Sequence, residues 1–122
     1  MVFGDHVTIT NIGPEAVDLS GIWLCNRPSY TELSGQVAPG ASVDVPADAL
    51  GGLAESGGEA ALYVGNSFSD PNSIIDYVSW NGGGGRTSVA VEAGIWPEGA
   101  SVTPAGDSIE LFGVPGDPES WG

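Results

Sequence analysis

The chain has 122 residues, with 16 acidic side chains against two basic ones and a formal net charge of −14. That length suits a single domain spanning residues 1–122, and an apolar fraction of 41% supplies one core but not a large enzyme with a deep cleft. Arg27 and Arg86 are the two basic side chains, too few to neutralise phosphates, which excludes nucleic acid and anionic membrane surfaces as partners. Gly (20) and Pro (9) are abundant, yet alternating apolar runs and aromatic residues argue against disorder. Lys is absent altogether, a balance suited to concentrated salt. At about 1 M salt the screening length falls to roughly 3 Å, which suppresses the self-repulsion of so acidic a surface.

In chain order, the dominant hydrophobic period is two. His6-Val7-Thr8-Ile9-Thr10 alternates and stops at the turn residues Asn11 to Pro14. Ala16 to Leu24 carries Val17, Leu19, Ile22 and Leu24, with Ser20-Gly21 breaking the alternation as a bend or bulge would. Tyr30 to Leu33 is a short candidate strand, and Ser42-Val43-Asp44-Val45 another, closed by Pro46. Ala47 to Ala54 suits one helical turn or an irregular loop. Glu59 to Val64 and Ser73 to Trp80 are strand candidates, the second the most apolar of all. Four glycines at 82–85 read as a flexible hairpin connection, followed by an alternating strand from Arg86 to Val91. Asp107 to Phe112 forms a last strand, and the tail from Val114 to Gly122 lies over the surface with Trp121 as an anchor. Together these predict an all-β fold, an immunoglobulin-like antiparallel β-sandwich of seven to eight strands. Its expected core is Val17, Leu19, Trp23, Leu24, Leu62, Ile75, Val78, Val89, Ile109 and Leu111, with truncation of Trp23 among the most damaging changes.

Catalytic patterns are missing. There is no Gly-x-Ser-x-Gly elbow, and a Ser-His-Asp triad would have to recruit His6, the sole histidine. A P-loop needs Lys, and the tetraglycine is expected to lead into a strand rather than the helix N-terminus that cradles phosphate. One His and one Cys make neither a zinc nor a blue-copper site. Cys25, in the apolar stretch Gly21 to Cys25, reads as a small buried hydrophobe and has no partner for an internal disulfide. The expectation is therefore no enzyme and no cofactor. The alternative is a Ca²⁺-binding module using loop carboxylates, with Asp70, Asp117 and Glu119 as candidate ligands. A small hydrolase is a second alternative. Among the four tryptophans, Trp23 and Trp80 lie within strand patterns and read as core; Trp96, before Pro97 on a connection, is the one to test as an exposed sugar platform, with core or rim packing the favoured reading.

Certain residues carry a resemblance. Asn11 and Gly13, then Val17-Asp18-Leu19-Ser20-Gly21 and Trp23-Leu24, resemble the signature of the lamin tail domain family. Ala38-Pro39-Gly40, Gly58-Glu59-Ala60-Ala61-Leu62-Tyr63, Ile75-Asp76-Tyr77-Val78-Ser79-Trp80 and Gly85 to Val91 follow in the order of its prokaryotic members. Leu24-Cys25-Asn26 followed by Pro28-Ser29-Tyr30 is similar to a small bacterial and archaeal group. The resemblance covers nearly the whole chain and implies an immunoglobulin-like structural or interaction module without catalysis, secreted or displayed on a cell surface. The chromatin contacts of lamins do not carry over, because the basic residues they need are absent. Met1-Val2-Phe3 leaves little room for the extra first strand of many members, so an exposed sheet edge is expected, open to pairing in a homodimer.

No apolar run approaches the ~20 residues that a membrane-spanning helix needs, so no membrane insertion is expected. No basic stretch followed by an apolar segment opens the chain, as in a mature extracellular domain or a protein of a halophile's cytoplasm. The partner expected is a protein or a surface of unspecified identity.

Overall fold

A computed structural model describes residues 6–26, 29–53 and 56–103. Among the described residues the architecture is all-β with one short α-helix. The strands are β1 (His6–Thr10), β2 (Val17–Asp18), β3 (Ile22–Asn26), β4 (Ser29–Glu32), β5 (Gln36–Val37), β6 (Ser42–Pro46), β7 (Gly58–Val64) and β8 (Ile74–Trp80). A 3-10 helix, Ala47–Leu50, follows β6, and α1 (Thr87–Glu92) follows β8. The strands form three antiparallel sheets, β1-β6, β2-β5 and β4-β3-β7-β8. Val7 of β1, Val37 of β5, Val45 of β6, Leu24 of β3, Tyr63 of β7 and Trp80 of β8 belong to a single buried cluster, so the three sheets share one core.

The expected strands from His6, Ser42, Glu59 and Ser73 are found within a residue or two of their predicted bounds. The interruption at Ser20-Gly21 is a turn between β2 and β3. Gly21 has a φ of +78°, and the Ile22 N–H donates to the Leu19 carbonyl at 2.9 Å. Ala47 to Leu50 makes the single helical turn, closed by Gly51 in the left-handed region.

Two expectations change. The alternating stretch from Arg86 to Val91 is not a strand; it lies almost wholly within α1. The Ala93 N–H donates to Val89 at 3.0 Å, and Gly94, at φ +77°, ends the helix. Six residues are too few to separate a period of 3.6 from one of two. Burial of Val89 and Ala90 against the sheet outweighs the weak helix preference of β-branched side chains.

The predicted core is also revised. Leu19, Leu24, Val78 and Val89 are buried, but Val17 and Ile75 are exposed, and Trp23 and Leu62 are only half-buried. β8 explains Ile75. A register shift between Leu62 and Tyr63 accompanies its pairing with β7. Ile74 faces Tyr63 and Asp76 faces Leu62, so Ile75 is the extra residue of a bulge: Ile74, Tyr77 and Ser79 take the buried face and Ile75 is left exposed. α1 packs on β8.

Trp96 is packed inside, as the favoured core or rim reading expects, and is not an exposed platform. It is 3% exposed, meets Tyr77 edge-on with ring centroids 5.5 Å apart, and donates its indole N–H to the Ala100 carbonyl at 3.1 Å. Ile109 and Leu111, the strand predicted over Asp107 to Phe112, and the tail with Trp121 lie outside the described residues.

Candidate functional site

The most concentrated polar chemistry among the described residues surrounds Glu59 on β7. This side chain sits in a run of small and apolar residues, Gly58-Glu59-Ala60-Ala61-Leu62, and is 0% exposed. Its Oε1 accepts from the Tyr77 hydroxyl at 3.0 Å and from the Arg86 backbone N–H at 2.9 Å. Its Oε2 accepts from the Gly85 N–H at 3.0 Å. A buried carboxylate is tolerated only when donors replace its hydration, and here strand, loop and the entrance to α1 supply them. Upstream, the Glu59 N–H donates to Asn26 Oδ1 at 3.4 Å, while Asn26 Nδ2 donates to the Gly52 carbonyl at 3.1 Å. One polar chain thus runs from the 3-10 helix past β3 and β7 to α1.

The tetraglycine owes its composition to this arrangement. A Cβ on Gly83 would run into the backbone of Gly57 and Gly58, and one on Gly84 would strike the Tyr77 hydroxyl and lie 2.6 Å from Thr87 Oγ1. The glycines permit close approach, so the loop is a clamped segment rather than the flexible connection expected from sequence. A helix does follow it, contrary to expectation. The two backbone N–H groups that would face an external anion are engaged by Glu59 instead.

Tyr77 extends the cluster. Its hydroxyl proton goes to Glu59, so Thr87, 2.6 Å away, donates to the phenol oxygen. Burial, and then the charge of Glu59, push the Tyr77 phenol well above its ordinary range, keeping it a proton donor. Tyr63 is also fully buried, and its phenol is likewise driven up by burial first, then by Cys25, with the charge of Arg86 opposing. Its hydroxyl has no hydrogen-bond partner.

On the outer side lies an aromatic group. Phe68 stacks on Tyr30 (centroids 4.1 Å apart, planes 15° apart) and meets Tyr63 and Trp23 edge-on at 5.2 and 5.8 Å. The Arg86 guanidinium carbon lies 5.9 Å from the Tyr30 ring centre; Nη2 donates to the Tyr30 hydroxyl at 2.8 Å and Nη1 to Ser69 Oγ at 3.1 Å. Beside it opens a shallow depression of about 600 Å³ lined by residues 66–70 and Arg86.

Of the candidate calcium ligands, Asp70 lines this depression, and its Oδ1 accepts the Asn72 N–H at 2.9 Å, closing the local turn. Asp117 and Glu119 lie outside the described residues. Among the described residues no group of three or more His, Cys, Asp and Glu is placed to hold a metal ion. Cys25 is fully buried, and no helix among the described residues is long and apolar enough to cross a membrane. Glu59 and Arg86 were not marked as site residues by sequence. The available signal was an acid inside an otherwise apolar strand, some twenty residues before a glycine run.

Comparison of the chain with family models, with curated proteins and with solved structures returns no match.

Proposed function

We propose that this chain is a non-catalytic structural or interaction module of lamin-tail type, an immunoglobulin-like β-sandwich working outside the cell or on its surface through protein or surface contacts. The motif order described above and the antiparallel all-β architecture support the reading. The observation that carries it is the engagement of Glu59. This carboxylate is enclosed by three donors and ties loop 82–85 and α1 to the sheet, the work of a structural group. A general acid or base must instead reach a substrate proton. The acidic, Lys-free surface is the part of the molecule adapted to a saline medium.

The test is a panel of ester and glycoside substrates together with calorimetric Ca²⁺ titration in metal-free buffer. No turnover above buffer and no saturable heat are expected. Hydrolysis that disappears in a folded Glu59→Gln variant would overturn the reading in favour of a small hydrolase. Saturable calcium heat would overturn it in favour of a metal-binding module.

A further inference from the structure

Arg86 offers more hydrogen-bond donors than the fold accepts. A guanidinium has five N–H donors in a planar fork. Two of its bonds go to the neutral oxygens of Tyr30 and Ser69, and the buried Nε–H has no acceptor. No carboxylate among the described residues pairs with it, although the chain has 16 acidic side chains. Its position is fixed from several directions: the backbone N–H is held by Glu59, the head by two hydroxyls, and the ring of Tyr30 by Phe68. With Nε–H enclosed, the donors left for an outside ligand are the second N–H of each terminal nitrogen, and a guanidinium pre-placed at the wall of an open depression can receive a planar oxygen pair end-on through them.

We propose that the depression beside Arg86 binds the carboxylate of an acidic side chain presented by a partner polypeptide. This rests on the interaction-module reading and names the chemistry of the partner. A carboxylate matches the fork with two coplanar oxygens and a single charge. A phosphate would place a further charge near Asp70, which lines the same wall. The peptide groups flanking an acidic residue bring N–H donors for the side-chain oxygens of Asn66, Ser67 and Asp70, and Phe68 provides an apolar edge. At low salt the net charge of −14 holds an acidic partner away. Molar salt, where the screening length is about 3 Å, removes this long-range repulsion; it weakens the ion pair as well, so the contact then rests on the paired hydrogen bonds of the fork.

The experiment uses the full ¹⁵N-labelled chain in molar KCl, titrated with the capped peptide acetyl-Gly-Asp-Gly-amide and with its Asn counterpart. The chain has two arginines, so two Nε–H resonances are expected, and Arg86→Lys assigns one of them by loss. The Asp peptide is expected to shift the Arg86 Nε–H and the backbone amides of residues 66–70 saturably, with a Kd on the order of 1 mM. The Asn peptide, which lacks the charge, is expected to bind at least ~10-fold more weakly, and Arg86→Lys, which keeps the charge but loses the fork, to weaken the Asp peptide by a similar factor. Equal responses to the two peptides, or no response to either, would overturn the proposal. That failure would leave the module reading standing, since it falls only on turnover or on calcium heat.

Discussion

The β1-β6 ladder and the β7-β8 region are held by different means. Along β1-β6 the polar side chains pair near water: Thr8 donates to Asp44 at 2.7 Å, and the hydroxyls of Thr10 and Ser42 lie 2.7 Å apart, both exposed. Around β7 and β8 the polar groups are interior, and a single carboxylate gathers donors from strand, loop and helix. Exposed pairs exchange one set of partners for water at little cost. Buried ones leave stranded donors when broken, each worth ~1–3 kcal/mol. Similar hydrogen bonds are therefore a trimming in one region and a structural requirement in the other.

The sharpest way to break that contrast is Glu59→Ala. With three donors stranded, it is expected to lower the unfolding free energy by upwards of ~4 kcal/mol, approaching the whole stability of a small domain at ~5–15 kcal/mol. Thr8→Ala in the exposed ladder should cost less than ~1 kcal/mol in the same denaturant titration.

The hydrophobic side of the comparison comes next. Trp80 is fully buried and Trp23 only half-buried. Trp80→Ala should therefore cost ~3–5 kcal/mol. Trp23→Ala should cost clearly less, although the sequence places it among the most damaging truncations; thermal unfolding of the two variants checks the order.

Within the glycine run, Gly84→Ala places a methyl against Tyr77 and Thr87 at a φ of +114° and should cost ~1–3 kcal/mol. Gly82→Ala, with φ +73° and open space around it, should cost about 1 kcal/mol, for its backbone conformation alone. Equal effects would show that the run is a loose connection after all.

The smallest expected effect concerns Asp76. Burial raises its carboxyl above the ordinary 3.8, and the bond from the Tyr77 N–H opposes the shift without cancelling it. The neutral form is thus favoured in the fold. Its contribution is fully present below pH 3.8 and is lost as pH rises through the folded value. Asp76→Asn keeps the acceptor and removes the charge, so it should stabilise the protein at neutral pH, with the gain vanishing below pH 3.8. A gain that persists at low pH would point to a cause other than ionisation.

Much of the sheet was legible because β1, β3, β6, β7 and β8 each carry enough residues for alternation or a continuous apolar run to show. The two-residue strand β5 was not, for it has no period to read. α1 was misread because Val89 and Val91 alternate with small and polar residues, as a strand's would. The site was the least legible part. Glu59 looks like any acid in a strand until the fold brings residues 85 and 86 to it, a contact between positions 26 and 27 apart. The glycines at 83 and 84 look permissive in sequence, whereas their reason is the close approach of Gly57, Tyr77 and Thr87. Such contacts belong to the packed chain and have no local signature.

Native-state amide hydrogen exchange at Gly85 and Arg86 tests most directly whether Glu59 clamps the loop. Both N–H groups should exchange near the rate of global unfolding in the unaltered protein, despite lying in a glycine-rich loop, and Glu59→Gln, which keeps one acceptor oxygen and replaces the other with an NH₂, should strip that protection selectively from at least one of them. Exchange of both at the rate of an open, solvated loop in the unaltered protein would contradict the clamp.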